Sequence, residues 1–222
     1  SDSLIYDSVT ISANNEAGET ITTSGSASVC IGECPANCAV VSNNADEWPP
    51  ILEKNVNIAI GNLSQYQGFT AKLCPNSEPI NLCYRPSEIN PGNYAWHVSN
   101  LYGDNCDIYF NNKGVGSDSD ALFMITHELT HHVQAISSEH ELSYSVSGAW
   151  FPEIYGPGKQ GLCTYSATVP ANLSKVLEAM REGMAEAAAL YVNSSPSWDS
   201  CASNYSSKYP KNYSWAKKFM EE

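Results

Sequence analysis

Residues 121–136 read ALFMITHELTHHVQAI and hold three of the chain's five histidines. Leu122, Ile125, Leu129, Val133 and Ile136 recur every three or four positions, which predicts a helix with one apolar stripe turned to a core. Ser117 to Asp120, just upstream, supply residues suited to capping it. Inside this helix His127-Glu128-Leu129-Thr130-His131 spells H-E-x-x-H. The two histidines lie about one turn apart, so both rings project from one face and can meet one Zn²⁺ at ~2.0–2.1 Å. Glu128 sits roughly 100° around the helix, too far to join them as a ligand. It is placed instead to hold a water on the metal and take its proton. Chance would produce this pattern in roughly one such chain in a hundred, so two merely packed histidines are the lesser reading. His132 points to another face and reads as packing, while His97 and His140 are loose candidates.

Two histidines are half a zinc site. The longer H-E-x-x-H-x-x-G-x-x-H pattern needs Gly at position 134 and His at 137, where this chain has Gln134 and Ser137. Carboxylates on a second long helix, predicted from about Leu173 to Val192, fit better. Glu182 and Glu186 share a face there, beside an apolar stripe that includes Met180, Met184 and Tyr191. Ala185, Ala188 and Ala189 leave little polar surface around Glu186, and a carboxylate in such surroundings needs a partner. Gly183 costs about 1 kcal/mol inside a helix, which points to close approach by another element. The competing reading is a solvated glutamate face supported by Arg181 and Lys175.

His127-Glu128-x-x-His131 followed by Glu182-x-x-x-Glu186 resembles the gluzincin branch of the zincin metallopeptidases. The resemblance runs from about residue 120 to 215 through short motifs. It implies Glu182 as third zinc ligand, Glu186 as the group that orients an imidazole behind the metal, and Glu128 as general base. The segment REGMAE is similar to the Glu-Gly-x-Ala segment of aminopeptidase-like gluzincins, which use a tyrosine on a later helix to stabilise the oxyanion. Tyr213 is the closest match to that tyrosine, with Tyr191, Tyr205 and Tyr209 open. The Gly-Ala-Met-Glu-Asn element that anchors a free amino terminus in those enzymes is absent, which favours an endopeptidase.

The rest of the chain supports an α+β expectation: a zincin-like domain with a small, mostly antiparallel sheet, an active-site helix and a C-terminal helical part. Asp46, Pro49 and Pro50 open a first amphipathic helix bearing Leu52, Val56, Ile60 and Leu63. The runs FTAKLC, INLCY, YAWHVS and CDIYF read as short strands between Asn, Pro and Gly turns. By analogy with zincins, CDIYF is the edge along which substrate would lie. SWAKKFMEE reads as a last helix. Residues 1–45, rich in Ser, Thr, Asn and Gly, form an N-terminal extension pinned by Cys30, Cys34 and Cys38, and residues 46–222 the catalytic domain.

Composition narrows the setting. Hydrophobic content of 42% and charged content of 16% describe a globular protein. A net charge of −13 argues against nucleic acid or anionic membrane and leans toward cationic partners. Eight cysteines, an even number spread along the chain, point to disulfides and a secreted protein. The trio could instead ligate a metal, but it lacks the close C-x-x-C pairs of common sites. Ser1 stands where an initiator Met would, with no leader-like run, as in a mature chain freed of its signal. No run approaches the ~20 apolar residues of a membrane span. Five N-x-S/T sequons are no more than chance supplies. The expectation is therefore a secreted, zinc-dependent endopeptidase acting on peptide or protein substrates. A secreted zinc-binding protein without turnover, of scavenger or adhesin type, is the alternative, and a disulfide-rich recognition module with an accidental motif is a third reading.

Overall fold

The computed structural model describes residues 3–14, 20–31, 38–73, 79–86, 94–97, 104–136, 173–193 and 204–222. The chain divides into two units, Ser1–Pro35 and Ala36–Glu222. The first is an antiparallel hairpin of β1 (Ser3–Asn14) and β2 (Thr20–Ile31), with Ser3 opposite Ile31 and Asn14 opposite Thr20.

The second unit mixes helices with a four-stranded sheet. Its strands are β3 (Ala39–Ser42), β4 (Ile80–Tyr84), β5 (Ala95–His97) and β6 (Ile108–Phe110), in the order β3-β4-β6-β5. The boundary between units thus falls before β3, which lies in the stretch read from sequence as extension. The sheet is also not mostly antiparallel. β3 pairs parallel with β4 and β4 parallel with β6, and only β5 runs antiparallel to β6. Parallel neighbours need a long crossover. Here α1 (Pro50–Leu63) and α2 (Gln67–Leu73) supply it between β3 and β4. CDIYF, expected at an edge, forms β6 in the sheet interior, and β5 holds the edge. All three residues of β6 are buried, as befits a strand covered on both faces.

Pro49 caps α1 with extended backbone and Pro50 opens it, where a missing N–H costs nothing. Asp46 does not cap; its N–H donates to the Tyr84 carbonyl (3.0 Å) in a bridge to the sheet. Leu52, Val56, Ala59 and Leu63 are buried on one face of α1. Residues 69–73 of FTAKLC are helical rather than extended, because tertiary packing overrides their β-propensity, and Cys74 lies outside the described residues. Phe69 and Leu73, one turn apart, are buried, and Phe69 meets Phe219 edge-on at 5.7 Å. A Cβ on Gly68 would come within 2.4 Å of the Glu222 backbone, so only glycine admits this contact. Lys72 Nζ donates to the Gly68 and Phe219 carbonyls, both at 3.0 Å.

Helix α3 (Asp118–Ile136) carries the opening stretch. The Ser117 hydroxyl accepts the Asp120 N–H (3.1 Å), and Asp118 and Asp120 oppose the positive helix start. Ile125, Leu129 and Val133 are fully buried, whereas the stripe ends at exposed Ile136. Thr126 and Thr130, also buried, satisfy their hydroxyls on carbonyls of their own helix, Leu122 (2.7 Å) and Thr126 (2.8 Å). Alongside runs α4 (Leu173–Val192), over the span expected. Asn193 Nδ2 donates to the Ser119 carbonyl (2.7 Å) and Gln134 Nε2 to the Arg181 carbonyl (3.1 Å), so the two helices are antiparallel. Buried Ala185, Ala187, Ala188 and Ala189 keep α4 slim on its packed side. A short α5 (Tyr205–Lys208) and α6 (Pro210–Glu221) complete the unit.

Cys83 and Cys106 form a disulfide with a Cα–Cα distance of 5.9 Å. Cys38 is also disulfide-bonded, which removes it as a thiolate ligand in the N-terminal trio. Among the described residues, no helix is long and apolar enough to cross a membrane.

Candidate metal centre

Helices α3 and α4 bring three ligand-type atoms together. His127 Nε2 and His131 Nε2 lie 3.1 Å apart, and Glu182 Oε2 lies 3.3 Å from the first and 3.4 Å from the second. Ligands of a tetrahedral zinc at ~2.0–2.1 Å stand about 3.3–3.4 Å from one another. Cis ligands of an octahedron with the same bonds would stand about 2.9 Å apart. The two edges to Glu182 equal the tetrahedral spacing and the edge between the histidines falls between the two values, so among the described residues these three could hold one metal ion. The three side chains are 11%, 16% and 20% exposed, enough for an ion to reach them. Phe123 stacks on the His127 ring at 6.4 Å, forming an apolar wall.

The electrostatics also suit a cation. Burial opposes charge on Glu182, yet the two facing imidazoles outweigh it and hold the carboxyl ionised, far below its ordinary range. Burial likewise opposes charge on His131, but Glu182, then Glu128 and Gln134, lift it to about 9. Without a metal, His131 and Glu182 thus form an ion pair, and a cation entering the triangle displaces the proton. Glu128 is 6% exposed and faces the same cluster. Burial pushes its carboxyl up, against the pull of His127 and His131, and the backbone of His97 also favours its charged form. A carboxylate poised upward in this way is matched to taking and returning a proton.

Behind His131 stands a residue that sequence reading passed over. His131 Nδ1 lies 2.9 Å from Gln134 Oε1, and Gln134 is itself buried. The hydrogen bond to an imidazole expected of Glu186 is made at His131 Nδ1 by Gln134, and among the described residues buried His127 Nδ1 has no hydrogen-bond partner. One helical turn beyond Glu182, Glu186 is buried in α4. In the sequence Gln134 stands where the longer histidine pattern needs Gly. A glutamine three positions after a ligand-type histidine was the available signal, since residues i and i+3 meet on a helix.

Tyr213 lies in a different part of the unit. Its ring packs against Tyr191 (5.3 Å) and Tyr205 (5.6 Å), and Tyr191 in turn meets Tyr66 at 6.0 Å. Helical rise puts Tyr191 about 13 Å beyond Glu182 along α4. The ring contacts of Tyr213 are thus with this cluster rather than with the triangle. Tyr191 and Tyr205 share its cluster, Tyr209 packs against Tyr205, and the Tyr205 hydroxyl faces the Ala187 carbonyl at 3.5 Å. His132 turns away from the triangle, as expected, and its Nδ1 meets His97 Nε2 at 3.2 Å. Burial, with His132 and His131 nearby, lowers His97 to about 4 and keeps it neutral. His140 lies outside the described residues.

No family model, curated protein or solved structure matches the chain.

Proposed function

We propose that this chain is a zinc-dependent metallopeptidase that cleaves internal peptide bonds. One observation carries the reading: the 3.1–3.4 Å triangle of His127, His131 and Glu182, spaced for zinc, with buried Glu128 beside it. His127, His131 and Glu182 would hold the ion, and when bound it supplies a Lewis acid for the scissile carbonyl and the attacking water. Glu128 takes the proton from that water as its oxygen adds to the carbonyl carbon. The same carboxyl then protonates the amide nitrogen as the C–N bond breaks, which returns it to its starting state. The buried surround of Glu128 raises its affinity for the proton it must carry. A secreted setting belongs to the proposal, because disulfides at Cys83–Cys106 and Cys38 suit an oxidising compartment. The net charge of −13 favours cationic peptides among the substrates.

The test is digestion of a diverse peptide mixture, read by mass spectrometry, with the native chain beside Glu128→Ala and the metal content of both measured. New internal termini with the native chain alone support the peptidase. Zinc at one per chain with no new termini from either protein defeats the catalytic claim and favours the non-catalytic zinc-binding reading. Absence of zinc defeats both.

A further inference from the structure

We infer that Gln134 is the positioning residue of the metal centre: one amide that orients His131 for a metal and sets the helix that carries Glu182. The inference rests on the zinc reading above, and donor–acceptor chemistry carries it. The Arg181 carbonyl only accepts hydrogen bonds, so the group facing it at 3.1 Å must be the NH₂ of Gln134. The carboxamide oxygen is thereby turned to His131 Nδ1 at 2.9 Å, and that nitrogen must carry a hydrogen. Once an entering cation displaces the other proton, Nε2 of the same ring is the atom free to give its lone pair, and it is Nε2 that faces His127 and Glu182. A backbone carbonyl on α4 thus fixes the tautomer of a histidine on α3.

The second half of the link is positional. Arg181 immediately precedes Glu182, so the contact that orients one ligand also anchors the backbone delivering another. Gln134 is buried, which denies water as a substitute partner for either end of its amide. Groups behind a ligating histidine typically change metal affinity 10- to 100-fold when removed.

The variants that separate the roles are Gln134→Met, which keeps bulk but removes donor and acceptor, and Gln134→Glu, which keeps an acceptor for His131. Zinc affinity is measured by competition with a chromophoric chelator, alongside the cobalt absorption spectrum and the circular dichroism of the metal-free chains. Gln134→Met is expected to fold and to bind zinc about 10- to 100-fold more weakly, with an altered cobalt band. Gln134→Glu is expected to recover most of that loss. Native-like affinity in Gln134→Met overturns the inference, and so does Gln134→Glu binding no better than Gln134→Met, since packing alone would then explain the loss. If Gln134→Met does not fold, Gln134→Glu against the native chain decides through the His131 nitrogen resonances of the zinc-loaded chains: a hydrogen on Nδ1 in both upholds the inference, and a bare Nδ1 in the native chain overturns it. A native chain that takes up no zinc defeats the metallopeptidase reading, whereas tight zinc binding indifferent to residue 134 defeats only this inference.

Discussion

Helix α4 meets two very different neighbourhoods along its length. Around Glu182 it faces imidazoles, and each partner pushes the other toward its charged form: Glu182 stays ionised and His131 rises to about 9. Around Tyr191 it faces other phenols and Glu221, whose carboxylate accepts the Tyr191 hydroxyl. There burial, then Glu221, pushes the phenol up and locks it neutral. Both ends collect ionisable groups on one stretch of helix. Only the first brings together three ligand-type atoms that could hold a metal ion. The second packs Tyr213, the match to the later-helix tyrosine of aminopeptidase-like gluzincins, among other phenols.

The contrast can be broken most sharply at its two carboxylates. Glu182→Ala should lose stoichiometric zinc altogether, while Glu221→Ala should retain one ion per chain, read by elemental analysis after gel filtration. A silent Glu182→Ala would remove α4 from the metal centre. The next comparison is kinetic. Glu128→Ala should lower kcat/KM for a peptide about 10²- to 10⁴-fold, whereas Tyr213→Phe should leave it unchanged; a large loss in Tyr213→Phe would place the tyrosine cluster in the reaction. Stability should divide the other way. Phe219→Ala, which removes the buried ring packed on Phe69 and stacked with Trp215 at 5.1 Å, should cost about 3–5 kcal/mol by denaturant titration. Chains of that variant that remain folded should still bind zinc as the native protein does.

The smallest effect is set by pH. Tyr191 holds its proton more tightly folded than unfolded, so its contribution is complete below the unfolded value of 10.0 and fades as pH rises beyond it. Melting temperature should therefore fall above pH 10 in the native chain and fall less steeply in Tyr191→Phe. Parallel curves would show that the Tyr191–Glu221 contact adds nothing.

What could be read in the sequence follows from how local its cause was. Helix α3 was legible because its apolar stripe, its Ser117 cap and its paired histidines all belong to one contiguous segment. Glu182 was legible as a candidate because it shares one helix face with Glu186 four positions on, a pattern that resembles the gluzincin carboxylate helix. The strand directions were not, since the crossover that makes β3 and β4 parallel depends on residues 69–73 of FTAKLC becoming helical against α6. That contact spans residues 68 to 222. The CDIYF strand was placed at an edge for want of any local sign that β5 would fold back outside it. Gln134 was missed because its meaning depends on a backbone carbonyl of another helix, and a backbone group has no letter in the sequence.

The antiparallel pair α3–α4 is also fastened at its far end, where Asn193 grips Ser119. Ser119 lies about 18 Å along α3 from His131. Taken with Gln134 and Arg181, the two fastenings act as dowels in a jig: one alone would let the helices pivot, and two fix both slide and rotation. A slip of a single residue along α4 would move Glu182 about 1.5 Å and swing it roughly 100°, far more than a triangle of 3.1–3.4 Å sides tolerates. Alignment of the three ligand-type atoms is thereby entrusted in part to an amide on the opposite end of the helix pair, which takes no part in their chemistry.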